Sequence, residues 1–336
     1  MRLPPAERAR RGVIASRASI VGFLITAHVA CAPRDTRDDK ATSDSATVPA
    51  ELAANDLTMP ETWTPPPVDS TPDDPFETAV LRGLALLTHT RDSLPRYVGA
   101  NLSCTSCHLE AGRRTNAAPL TGVFARYPRF IERAAAVVPI EDRINYCFTR
   151  SLSGSRLPNG SREMQDLVAY LSHISRGVPV GGRVAAEGMP KMPPLTGDST
   201  RGLAIFTADC ARCHGADGAG VGPAPALWGP KSFSIGASMA RQERAASFIR
   251  HNMPFDRPGT LTDQQAYDIA AYMVSMPRPD LPGKERDWPD GGAPDDVPYD
   301  TKGHVAARPP VLLPRQGDVR SAIVDVPASV NAARPR

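Results

Sequence analysis

The sequence predicts an all-α fold of two tandem small helical domains followed by a long irregular C-terminal tail. Three observations carry that expectation. The chain repeats itself: STRGLAIFTADCARCHG at residues 199–215 echoes the Gly83, Leu84, Ala85, Leu86 order of the first half, and two closing segments, 161–177 and 262–279, carry matching AYL and AYM triplets. Phe76, Val80, Leu84 and Leu87 fall on one helical face after an Asp-Asp-Pro start. Finally, a Cys-x-x-Cys-His string occurs once in each half, CTSCH at Cys104–His108 and CARCH at Cys210–His214.

Domain boundaries follow from composition. Residues 73–180 and 195–280 are the two helical domains, joined by a Gly- and Pro-bearing linker at 181–194. Residues 32–72 are rich in Asp, Thr, Ser and Pro and read as a flexible tether. Residues 281–336 are dense in Pro, Asp and Gly, and are expected to wrap the surface before a disordered end from about Val311. With 35 prolines and 6% aromatic residues in 336, the cores are small and leave room for a prosthetic group to complete them. A formal charge of +3, without a Lys/Arg block, argues against nucleic acid as a partner.

Residues 1–31 have the pattern of an export signal. Arg2, Arg8, Arg10, Arg11 and Arg17 precede a mostly apolar stretch, residues 18–30, that is too short to span a bilayer. Ala30 before Cys31 resembles a lipoprotein signal, so the mature chain is expected to be periplasmic or otherwise extracytoplasmic, either lipid-anchored at Cys31 or released. Any contact with a membrane would be through that anchor.

Two thiols three positions apart can form thioethers to one haem, and the His that follows is placed to ligate its iron. Cys104 and Cys107 with His108, and Cys210 and Cys213 with His214, therefore predict two covalently bound c-type haems, making each domain a cytochrome c unit. Zinc fits poorly, since each motif offers three ligands without an obvious fourth at zinc-motif spacing.

The duplication also points to the sixth iron ligands. Met253, in HNMP, lies 39 residues after His214, and the residue 39 after His108 is Cys147, in RINYCFTRSLSG. Four of the six cysteines are used by haem attachment and Cys31 by the signal region, so Cys147 has no disulfide partner left. A buried inert thiol is the alternative for Cys147, and His251 the strongest competitor of Met253. A thiolate lowers an iron potential and a thioether raises it, so electrons are expected to run from haem 1 to haem 2.

Arg133, Arg143 and Arg150, with Arg156 further on, surround Cys147 in sequence. If residues 140–150 are helical, Arg143, Cys147 and Ser151 stack on one face, a place for a small oxyanion. The equal alternative is that these arginines pair with Glu132, Glu141 and Asp142 or with haem propionates.

The string RINYCFTRSLSG, both haem motifs, HNMP and the tail DWPDGGAPDDVPY together resemble the dihaem thiosulfate dehydrogenase family, over residues 76–303. The resemblance implies oxidative coupling of two thiosulfate ions to tetrathionate, or the reverse, with an external acceptor such as a small cytochrome c. It implies Cys147 as distal ligand and reacting sulfur, with Arg133, Arg143, Ser151 and Gln165 around the substrate. Some members carry Lys before the distal Met, able to exchange with it, where this chain has Asn252. Two other readings stay open at this point: a dihaem electron carrier with no substrate of its own, and a thiosulfate-binding component of a larger sulfur-oxidising complex.

Overall fold

The computed structural model of the protein describes residues 57–68, 73–185, 187–307 and 311–315. The export signal and Cys31 lie outside the described residues, as does most of the tether. No helix among the described residues is long and apolar enough to cross a membrane.

The helices of the first half are α1 (Pro75–Thr88), α2 (Thr90–Ser93), α3 (Leu109–Gly112), α4 (Ile140–Tyr146) and α5 (Arg162–His173). Those of the second are α6 (Ser199–Ile205), α7 (Ala211–His214), α8 (Gln242–Asn252) and α9 (Asp263–Ser275). Their starts are chemically marked. Asp74 accepts from the Glu77 N–H at the head of α1, Ser161 from Met164 at α5, Asp198 from Thr200 and Arg201 at α6, and Thr262 from Gln265 at α9.

The duplication is visible in three dimensions as one helix crossing built twice. In the first half α1 packs on α5; in the second α6 packs on α9. Gly83 sits directly against the Asp166 carbonyl and the Tyr170 side chain, so an added Cβ would lie 2.0 Å from that oxygen. Gly202 repeats the contact against Asp268 and Tyr272, at 1.9 Å. Beside each glycine an arginine forks onto the opposing helix: Arg82 onto Asp166 with both bonds at 2.7 Å, and Arg201 onto Asp268 at 2.7 and 2.9 Å. The sequence Arg-Gly on one helix and Asp-x-x-x-Tyr on the other is therefore a single packing device used in both halves. In the second half it continues into a cluster of Phe206, Trp228 and Tyr272, with ring centroids 5.0 to 5.6 Å apart.

The halves join along residues 231–236. Asn101 N–H donates to the Lys231 carbonyl, the Ser153 hydroxyl to Ser232, the Ser234 N–H and hydroxyl to Arg150, and the Arg133 guanidinium to Gly236. Asn252, fully buried, donates from one end of α8 to the Asn116 carbonyl of the first half.

Two short sheets depart from an all-helical plan. Strands β1 (Arg129–Ile131) and β2 (Ala136–Val138) form an antiparallel hairpin, Arg129 facing Val138 and Ile131 facing Ala136. Strands β3 (Arg278–Pro279) and β4 (Leu312–Leu313) pair in parallel.

Through that second sheet Leu312 and Leu313 pair with β3, and Arg315 then donates to the Gly154 carbonyl; the rest of the expected disordered end lies outside the described residues. The last part of the tether is likewise docked: Met59 N–H donates to Arg183, Arg113 donates to the Pro65 and Pro66 carbonyls, and the Pro67 carbonyl meets the His173 ring. Proline carbonyls remain available as acceptors, and half-buried Arg113 and buried His173 of the first half use them.

Specific anchors hold residues 281–305. Asp287 accepts a fork from Arg150 at 2.7 and 2.6 Å and a hydrogen bond from Tyr299, and Trp288 stacks under Arg133 at 4.5 Å. Asp296 binds Arg241 and the Glu243 N–H at the start of α8, so the tail straps both halves.

Two outcomes follow. Gly202→Val forces the crossing apart and should lower stability by about 1–3 kcal/mol or more, read as a lower thermal midpoint of the holoprotein; an unchanged midpoint would contradict the crossing. Asp287→Ala leaves the largely buried Arg150 charge unpaired and should cost roughly 3–5 kcal/mol, a loss that urea unfolding would measure.

Candidate active site and haem cavities

Each Cys-x-x-Cys-His string opens onto a cavity. The first, about 390 Å³, is lined by Cys104, Cys107, His108, Arg143, Cys147 and Ser151 among apolar side chains. The second, about 660 Å³, is lined by Cys210, Cys213, His214 and Met253. These are the dimensions and linings of sites that enclose a flat apolar cofactor.

Both imidazoles are oriented for iron. His108 Nδ1 lies 2.6 Å from the Ala118 carbonyl and His214 Nδ1 3.0 Å from Pro225, so each ring donates from Nδ1 and leaves Nε2 as the nitrogen that could meet an iron. None of Cys104, Cys107, Cys210 or Cys213 is in a disulfide. Pairs of thiols beside a correctly held His fit a covalently attached haem in each cavity.

Cys147 begins a π-helical turn, Cys147–Ser151, that continues α4. The Leu152 N–H reaches the Cys147 carbonyl at 2.8 Å, which widens the turn by one residue. The regular helix expected over residues 140–150 thus stops at Tyr146, yet Arg143, Cys147 and Ser151 still line one cavity together.

Arg143 Nη1 donates to the Cys147 sulfur at 3.3 Å. Burial pushes this thiol up, but the Arg143 charge and the His108 ring outweigh it and bring the pKa down to about 6. Cys104 lacks such a counter-charge, and burial drives its thiol up to about 12. Among the described residues Cys147 is the one cysteine outside the attachment motifs, and its pKa is shifted toward the thiolate on the same cavity as His108.

The other predicted substrate residues divide. Ser151 lines the cavity. Arg133 is not among the residues lining it; it stacks on Trp288 and donates to the Gly236 carbonyl. Gln165 is on the exposed face of α5 and does not reach the cavity. Arg150 and Arg156 are occupied by Asp287 and Asp142. Arg126 and Arg129, which the hairpin and the turn before it bring to the cavity, line it as well, Arg126 paired with Glu187 of the linker. Sequence spacing held no sign of these two, because the fold-back of the β1–β2 hairpin and a linker residue 61 positions away create the contact.

Met253 lines the second cavity with Met239 and Met273, whereas His251 turns its Nδ1 to the Ser247 carbonyl at 2.8 Å and is absent from that lining. Cys107 and Leu102 belong to both cavity walls, so the attachment turn of the first cofactor is also part of the wall of the second.

Residues 96–180 match the SoxA/TsdA cytochrome c domain family, and residues 199–277 the cytochrome c family. A thiosulfate dehydrogenase of Psychrobacter arcticus is 43% identical over 69% of this chain and 73% of its own length. One of Allochromatium vinosum is 41% identical over 62% of this chain and 81% of its own. Among solved structures, the thiosulfate dehydrogenase TsdBA of Marichromatium purpuratum superposes with a TM-score of 0.62 at 32% identity, covering 70% of this chain and 52% of that one. This chain thus spans about half of that solved chain. Two cytochrome c domains and relatives of this closeness settle the lineage: the chain belongs to the thiosulfate dehydrogenase family of c-type cytochromes and binds two haems covalently.

Proposed function

We propose that this chain couples two thiosulfate ions oxidatively to tetrathionate at the first cavity, outside the cytoplasm, and delivers the electrons through the second haem to an external acceptor such as a small c-type cytochrome. The same site serves the reverse reduction. The observation that carries this reading is the Arg143–Cys147 contact on the cavity that His108 lines. An electron carrier without a substrate has no use for a thiolate-stabilising guanidinium there.

The residues assign themselves to roles. His108 and Cys147 would hold the first iron and His214 and Met253 the second, with Cys104, Cys107, Cys210 and Cys213 attaching the porphyrins. When bound, the two haems supply two one-electron acceptors.

Thiosulfate, a dianion, enters a cavity whose positive groups are Arg143, Arg126 and Arg129, and Ser151 offers a neutral donor. Arg126 is partly neutralised by Glu187, which leaves Arg143 as the main counter-charge at the sulfur. The Cys147 thiolate and the sulfane sulfur of the first thiosulfate form a sulfur–sulfur bond as two electrons leave. The sulfane sulfur of a second thiosulfate attacks the sulfane sulfur of that adduct; tetrathionate departs and the Cys147 thiolate returns. Charge balances at minus three on both sides of this second step. Arg143 serves both steps, offsetting repulsion as the second dianion approaches.

The export-type pattern of residues 1–31 supports delivery across the cytoplasmic membrane, with Cys31 as the point of lipid attachment.

Cys147→Gly should retain both haems by mass yet lose thiosulfate-dependent haem reduction in stopped-flow spectra; reduction at the wild-type rate would reject the reading. Arg143→Ala should lower kcat/KM for thiosulfate by about 100- to 1,000-fold with haem content unchanged. By contrast, Gln165→Ala, on an exposed helix face, should leave that ratio within about twofold.

A further inference from the structure

The segment from His108 to Leu120 walls both cavities. His108, Ala118 and Leu120 line the first, while Leu109, Glu110 and Arg114 line the second. Its backbone is not relaxed. Glu110, Ala111, Asn116 and Ala118 have φ of 53°, 55°, 64° and 48°, in the left-handed region that side chains other than Gly and Asn seldom adopt. Such backbone persists only where surrounding contacts hold it.

One of those contacts comes from the second half. Asn252, fully buried at the end of α8, donates from Nδ2 to the Asn116 carbonyl at 2.9 Å and to the Phe248 carbonyl of its own helix at 3.1 Å. The two carbonyls fix which way the amide points, since the reverse would set oxygen against oxygen. Its Oδ1 is buried and has no hydrogen-bond partner among the described residues, so stability alone gives little reason for an asparagine here. Packing repeats the link: Leu109 and Ala117 of the loop, Phe248 of α8 and Met253 share a small apolar cluster.

The link ends at the two cavities. Two positions beyond Asn116, the Ala118 carbonyl binds His108 Nδ1 at 2.6 Å. One position beyond Asn252 is Met253, on the second cavity. A carbonyl on Nδ1 sets the orientation of a ligating imidazole and raises its basicity, so whatever holds that carbonyl acts on the ring.

We propose that Asn252 is a positioning residue for the first haem, although it precedes the methionine of the second. By pinning the strained loop at Asn116 it holds the Ala118 carbonyl on His108, and so ties the two haem sites together mechanically. The inference rests on the assignment of His108 and Met253 as iron ligands and does not depend on thiosulfate chemistry.

The test uses the dihaem holoprotein, with spectroelectrochemical titration of both haems and electron paramagnetic resonance. Asn252→Ser keeps a donor that can reach the Phe248 carbonyl within α8 but is too short for Asn116. It should raise the midpoint potential of the first haem, since a less basic imidazole stabilises ferric iron less, and shift the g-values of the thiolate-ligated centre. Asn252→Leu, of similar volume and without a donor, should do the same. Ile249→Val trims α8 on the second cavity and removes no bond to the loop, so it should leave the first haem at its wild-type values. If the Ser and Leu variants change only the second haem or the thermal midpoint, the amide is a structural tie and the proposal is overturned. Should one of them fail to accumulate as holoprotein, the other decides alone. A wild-type spectrum without a thiolate-ligated centre would fail the assignment of Cys147 and leave the link to the two potentials: movement of both in Asn252→Ser supports it, and movement of one or neither overturns it.

Discussion

The contact between Arg143 and the Cys147 sulfur, 3.3 Å long on the wall of an otherwise mostly apolar cavity, is the constraint around which the first half of this protein is arranged. A thiolate cannot sit there uncompensated, since burial alone favours the neutral thiol. Arg143 supplies the charge, and α4 with its π-helical continuation supplies the spacing. Buried Asn145 then ties that helix to the following loop, its amide donating to the Leu157 carbonyl and its oxygen accepting from the Leu157 N–H. The tail fixes the far end of the turn through Asp287 and Arg150. Elements distant in sequence thus converge on the placement of one sulfur atom.

The two halves share a scaffold and differ in what they place on it. Both cross their outer helices over a glycine and lock them with an Arg–Asp fork. Both turn a His toward a cavity by binding Nδ1 to a backbone carbonyl. At the matched position one half then carries Cys147 and the other Met253, a thiol where its counterpart has a thioether. Under the proposed ligation this difference sets a direction, since a thiolate lowers an iron potential and a thioether raises it, and Leu102 and Cys107 line both cavities.

Much of this was legible in the sequence because it is written locally or by repetition. The haem motifs, the outer helices and the 39-residue offset to Cys147 and Met253 all follow from spacing, and the cavities contain those residues. Long-range packing was not legible. Arg133 and Arg143 look alike along the chain, but Trp288, 155 positions beyond Arg133 in number, captures one and leaves the other to the sulfur. Gln165 occupies a plausible register on α5 whose inward face is instead Met164, Leu167 and Tyr170. Docking of residues 311–315 depends on β3, and composition alone reads them as unstructured.

The most direct test of the account is electron paramagnetic resonance of the fully oxidised holoprotein before and after addition of thiosulfate. The account predicts one low-spin centre with a thiolate axial ligand, altered by thiosulfate, and a second centre with thioether ligation that does not respond. Two centres ligated only by imidazole or thioether, both indifferent to thiosulfate, would contradict it.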